Sequence, residues 1–102
     1  MNLSGMMKQA KDMQAKMAKL KEELASKTIE ASSGGGAVRI VVNGHNELLK
    51  ITIAPELLKE GEASMLEDLI LTAVNQALAQ SQELAAQEMT KITGGLIPPG
   101  LF

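Results

Sequence analysis

The sequence predicts an α+β fold of order α-β-β-β-α: a long N-terminal helix, a three-stranded antiparallel meander and a long C-terminal helix. Three observations carry this expectation. Apolar residues recur in steps of three and four through the first 24 positions, two alternating runs flank an Asn-Gly pair, and a broad helical stripe follows Ser64.

The first helix is expected over about residues 3–27, which hold no proline and one glycine, Gly5. Leu3, Met6, Ala10, Met13, Met17, Leu20 and Leu24 form an a/d seam over about three heptads. On a helical projection this seam fills an arc of about 100°. Lys8, Lys11, Lys16, Lys19 and Lys27 fall within about 160° on the other side, and Lys21 flanks the seam.

The strands are expected within about residues 28–53. Thr28–Ser32 opens with two β-branched residues, and Gly34-Gly35-Gly36 reads as a turn. From Ala37 to Val42, Val38, Ile40 and Val42 share one face, with Ala37, Arg39 and Val41 on the other. Asn43-Gly44 signals a hairpin, because both residue types tolerate positive φ. Leu49, Ile51 and Ile53 resume the alternation with Lys50 and Thr52 opposite, and Pro55 stops the strand.

The second helix is expected over about residues 62–92, opened by a capping box at Ser64-x-x-Glu67. Leu66, Leu69, Ile70, Ala73, Val74, Ala77 and Leu78 make a stripe wide enough to cover one sheet face. Past Gln80 the stripe thins at Ser81, Glu88 and Lys91, so the second half is expected to leave the core. Thr93-Gly94-Gly95 ends it. Residues 1–95 thus read as a single domain, followed by an apolar Pro/Gly tail at 96–102. Leu96, Ile97, Leu101 and Phe102 of that tail are expected either to dock on a helix or to stay mobile until a partner arrives.

Composition removes most chemistry. The 102 residues include one Phe and no Trp, Tyr or Cys, so the core is aliphatic and no disulfide, thiolate nucleophile or zinc-thiolate site is expected. The single histidine, His45, lies in Asn43-Gly44-His45-Asn46 with no oriented nucleophile and no second ligand of its kind. It reads as a solvated turn residue, the alternative being a phosphate or base contact in a bound nucleic acid. The chain is therefore expected not to be an enzyme, with no metal, no cofactor and no small-molecule substrate. No apolar run approaches the roughly 18 residues of a membrane span, and no secretory signal is visible, so no membrane partner and a cytoplasmic location are expected.

The net charge of −2 hides an asymmetry. Residues 1–27 carry six lysines against three acids, net +3, while the remainder carries four bases against nine acids, net −5. A polyanion would meet one cationic face in front of an acidic body. The seam and a sheet face holding Ala37 and Val41 beside Arg39 both lack an obvious cover, and exposed Met and Leu forfeit about 1.5–3 kcal/mol each. Symmetric self-association into a homodimer is the simplest remedy. The alternative is that the first helix folds back on its own sheet.

Met65-Leu66-Glu67-Asp68-Leu69-Ile70, Ala73-Val74-Asn75, Glu88-Met89 and Lys91-Ile92-Thr93-Gly94-Gly95 closely resemble the YbaB/EbfC nucleoid-associated family. Met6-Met7-Lys8-Gln9-Ala10, the glycine turn before Val38, Asn43-Gly44, Ile53-Ala54-Pro55-Glu56-Leu57-Leu58 and Pro98-Pro99-Gly100 extend the likeness over the whole chain. Ala54 departs from it, since many members have Asp before that proline. The resemblance implies a bacterial protein dimeric through its sheets, with paired projecting helices. It also implies duplex DNA as partner, bound with little or loose sequence preference, and a role in nucleoid organisation or gene regulation.

In that function Lys8, Lys11, Lys16 and Lys19 are the leading phosphate contacts, with Lys21, Lys27 and Arg39 behind them. Gln9 and Gln14 are candidates for groove edges, because amides read adenine. The rival reading is a protein-interaction module in which the Met-rich seam grips a partner helix.

Overall fold

The computed structural model describes residues 2–94; the expectations for the tail at 96–102 lie outside the described residues. The chain runs α1 (Leu3–Ser26), β1 (Thr28–Ser33), β2 (Val38–Asn43), β3 (Leu48–Ile53), a one-turn 3-10 helix (Pro55–Leu57) and α2 (Ala63–Thr93). This is the expected α-β-β-β-α order, and the sheet is an antiparallel meander β1-β2-β3.

The core follows from the period of two in β2. Val38, Ile40 and Val42 point to one face and are fully buried, facing Ser33, Ala31 and Ile29 across β1. α2 covers that face with Ala73 and Ala77 on the contact line and Leu66, Leu69, Ile70, Val74 and Leu78 around them. Alanine on the contact line lets the helix approach closely while the longer side chains fill the flanks. The Ser33 hydroxyl donates to the Leu69 carbonyl at 2.6 Å, tying the end of β1 to α2.

α2 packs on β1 and β2, leaving β3 largely beyond its reach. Leu48, Leu49 and Ile51 are accordingly 47%, 53% and 45% exposed. The alternation expected through Leu49 is also interrupted. Ile53 and Ile51 pair with Val38 and Ile40, but a register shift after Val41 places Leu48 opposite Val42, making Leu49 the extra residue of a bulge. The opposite sheet face is more polar than expected. Ala37 belongs to the preceding turn, Val41 is half-buried, and Arg39 approaches Glu30 at 4.0 Å.

The hairpin forms where expected, for a different reason. Asn46, not Gly44, takes the left-handed conformation, at φ 63°. The Asn43 side-chain oxygen accepts the N–H groups of His45 and Glu47 at 2.9 and 3.0 Å, and its amide donates to Glu47 Oε1. Position 44 needs glycine because α1 rests on it. A β-carbon there would lie 2.6 Å from the Leu24 carbonyl oxygen and 2.9 Å from Leu24 Cβ. The Gly44 N–H donates to the carbonyls of Leu24 and Lys27 at 2.8 and 3.1 Å, satisfying groups that the end of a helix leaves open.

Two further expectations change. α2 starts at Ala63 with Glu62 as N-cap and no side-chain cap, so Ser64 lies within the first turn and the capping box does not form. The second half of α2 leaves the sheet but not the core. Leu20, Leu24 and Met89 are buried in a second cluster with Met17, Leu84, Ala85 and Ile92. Thus α2 of the same chain covers the seam from Met17 onward, and α1 folds against α2 and the hairpin rather than over the sheet. Ser81 marks the transition: fully buried, it donates to the Asn43 carbonyl at 2.8 Å. The C-terminal end is as expected, with Gly94 at φ 64° and its N–H on the Thr90 carbonyl.

Candidate nucleic-acid interface

Lysine placement follows from the docking of α1. Its C-terminal half lies along α2 through Met17, Leu20 and Leu24, and its N-terminal half continues past that contact with Leu3, Met6 and Met13 exposed. The described chain is consequently elongated, 70 × 21 × 16 Å.

This geometry divides the predicted lysine arc in two. Lys16 and Lys19 line an open cleft of about 210 Å³ between the helices, with Leu20 and Glu23 from α1 and Glu88, Lys91 and Ile92 from α2. Lys8 and Lys11 flank a second open groove, of about 310 Å³, with Ser4 and Met7 on the free part of α1. Gln9 and Gln14 are exposed on the same helix, as is Lys21, which lines neither groove. Lys27 caps the C-terminus of α1 and approaches Glu88 at 3.6 Å. Arg39 stands apart: it lies near the start of β2, donates to the Gly36 carbonyl at 3.3 Å, and sits at the opposite end of the strand from the hairpin that holds α1.

The structure adds Lys91, which in the sequence marks only the thinning of the α2 stripe. Its ammonium donates to Glu88 Oε1 at 3.2 Å across one helical turn. The spacing Glu88-x-x-Lys91 signals such a pair; its position beside Lys16 and Lys19 depends on how two helices distant in sequence pack. The hydrogen bond from Lys91 holds the Glu88 carboxyl below the ordinary glutamate range. Partial burial opposes that shift, and the charges of Lys27 and Lys91 reinforce it.

Among the described residues no group of His, Asp or Glu side chains has the arrangement of a metal site, and no helix is long and apolar enough to cross a membrane. His45 is exposed at the hairpin tip.

A model of the YbaB/EbfC DNA-binding family matches residues 1–96. A protein named as nucleoid-associated from Pelotomaculum thermopropionicum is 50% identical over 101 residues, covering 99% of this chain and 96% of that protein. Another so named, from Thermoanaerobacter pseudethanolicus, is 52% identical over 101 residues, covering 99% and 91%. The crystal structure of an uncharacterized protein from Helicobacter pylori superposes with a TM-score of 0.82 over 92% of this chain and 99% of that one, at 24% identity, a likeness of fold. With the family model spanning nearly every residue and relatives at half identity along the same length, the chain belongs to the YbaB/EbfC DNA-binding family.

Proposed function

We propose that the protein binds duplex DNA as a homodimer with little sequence specificity, in the cytoplasm on the nucleoid, and serves nucleoid organisation or gene regulation. The observation that carries this reading is the lysine-lined arm of α1. Lys8 and Lys11 stand on its free half, Lys16 and Lys19 at the cleft with α2, and the family and the names of the relatives point to the same ligand. Lysines contacting phosphates release counterions and carry no base information, which accounts for weak specificity. Gln9 and Gln14, on the same arm, would supply what preference exists. Lys21 and Arg39 take lesser parts, Arg39 being remote from the arm, while Lys27 is engaged by Glu88. No aromatic platform supports single-strand stacking, since the only aromatic residue is Phe102.

The homodimer reading rests on β3. It is a sheet edge with one free backbone side, and it presents Leu48, Leu49 and Ile51 to solvent. An apolar open edge is an association hazard that a second copy removes by symmetric contact. Sedimentation at micromolar concentration should give about twice the 10.8 kDa chain mass. Leu48→Glu with Ile51→Lys should return a monomer.

DNA binding is tested by exchanging Lys8, Lys11, Lys16 and Lys19 for Gln, which barely alters helix propensity and leaves Met17, Leu20 and Leu24 in place. Two phosphate contacts per arm give about four per dimer and a log–log salt slope near −4. The quadruple variant should stay folded, lose most affinity for unrelated duplexes and show a much shallower slope. Unchanged affinity and slope would reduce the arc to a solvated face. The second reading, a protein-interaction module, draws on the exposed Leu3, Met6 and Met13. It gains if the wild-type protein ignores duplex DNA at low salt while holding a partner protein.

A further inference from the structure

The cleft between α1 and α2 contains two carboxylates among its lysines, and they are differently engaged. Glu88 has a side chain only 19% exposed, and one of its oxygens, Oε1, receives both Lys91 at 3.2 Å and Lys27 at 3.6 Å. Glu23 lines the same cleft and enters no ion pair among the described residues. Four of the lysines around this cleft therefore fall into two pairs. Lys16 and Lys19 have no carboxylate within ion-pair distance among the described residues, whereas Lys27 and Lys91 are tied to a single oxygen.

We propose that Glu88 is a positioning residue that limits polyanion binding, holding Lys27 and Lys91 against its carboxylate and withholding them from phosphate. This rests on the DNA reading above and deepens it: the free lysines make the contacts, and Glu88 sets how many there are. Lys91 is 72% and Lys27 45% exposed, so both ammoniums can reach a ligand in solvent once released. A phosphate that takes either one must first compete with a carboxylate already in place. Exposed pairs are individually weak, and each released lysine adds about 0.9 to the salt slope. Freeing both adds up to about 1.8 per chain, a change measurable against the whole-protein slope.

The experiment compares two variants that each remove one negative charge from the same cleft, Glu88→Gln and Glu23→Gln, in titrations of an unrelated duplex at several salt concentrations. Glu88→Gln should bind roughly three- to tenfold more tightly at low salt, with a steeper slope. Glu23→Gln should gain less and keep the wild-type slope. A complementary pair does not depend on how well Glu88→Gln folds. Lys27→Gln should leave wild-type affinity nearly unchanged, because that lysine is already engaged, whereas Lys19→Gln should weaken binding. Equal gains from the two glutamate variants would overturn the proposal, as would equal losses from the two lysine variants, because the cleft would then act by net charge alone. In either case wild-type DNA binding would stand. If no variant binds duplex DNA at low salt, the DNA reading falls and takes this proposal with it.

Discussion

Replacing Gly44 by alanine tests the joint on which the arm depends. The added methyl would sit 2.6 Å from the Leu24 carbonyl oxygen, 2.9 Å from its Cβ and 3.0 Å from its Cα. Two of those atoms are helix backbone, so relief cannot come from a side-chain rotation. Either α1 or the hairpin must move. Overpacking of this kind costs about 1–3 kcal/mol. Movement would also stretch the Gly44 N–H bonds to Leu24 and Lys27, at about 1 kcal/mol each if lost. We expect a total of about 2–4 kcal/mol, with a fall in melting temperature of roughly 4–8 °C per kcal/mol in a chain of this size. His45→Ala next door, exposed at the hairpin tip, should stay within about 0.5 kcal/mol. Urea denaturation of both variants supplies the comparison, and amide exchange at Gly44 locates the damage. A Gly44→Ala protein as stable as His45→Ala, with Gly44 still protected, would refute the claim that close backbone approach fixes α1.

Two other outcomes follow from the same region. Ser81→Ala should cost only about 1 kcal/mol by denaturation, because the Asn43 carbonyl that loses the Ser81 hydroxyl still accepts the Asn46 N–H at 3.1 Å. Glu88 should make stability depend on pH in acid. Its carboxyl is held below the ordinary glutamate value of about 4.3, so the unfolded chain binds the proton first as pH falls. Its contribution is full above that value and is lost as pH drops through the lowered one. Lys27 and Lys91 contact it, with Lys16, Lys19 and Glu23 around the same cleft. The wild-type advantage in melting temperature over Glu88→Gln, measured from pH 7 to pH 3, should shrink at the acid end.

Local patterns in the sequence carry most of the fold. Val38, Ile40 and Val42 announce a buried face because a strand has period two and nothing else places three β-branched residues alike. The misses lie where one element decides another's detail. Leu49 loses its predicted place because a bulge slips the register, and a bulge carries no hydropathy signal of its own. Ser64 fails as a cap because the helix starts two residues earlier than a Ser64 cap requires, behind Gly61 at φ 84°. Gly44 is required by a helix twenty residues upstream, so turn chemistry named the right residue for the wrong reason. The candidate site was legible where it lies on one helix, as with Lys8, Lys11, Lys16 and Lys19. Lys91 was missed because residues 16, 19 and 91 become neighbours only when the seam of α1 meets Leu84, Met89 and Ile92.

That meeting also resolves the conflict between a net charge of −2 and a polyanionic ligand. Charges in salt water interact over about 8 Å at physiological ionic strength, so what a phosphate senses is the local arrangement, not the sum. From Lys8 to Lys19 the helix rises about 16 Å at 1.5 Å per residue, two such lengths. Glu56, Glu60, Glu62, Glu67 and Asp68 lie between the end of β3 and the first turns of α2, at the sheet end of a chain 70 Å long. At that separation they are screened from Lys8 and Lys11. Of the acids within range of the lysines, Asp12 and Glu22 lie on α1 itself, and Glu23 and Glu88 line the cleft. There the balance turns on Glu23 and Glu88, and on which of the two already holds its lysines.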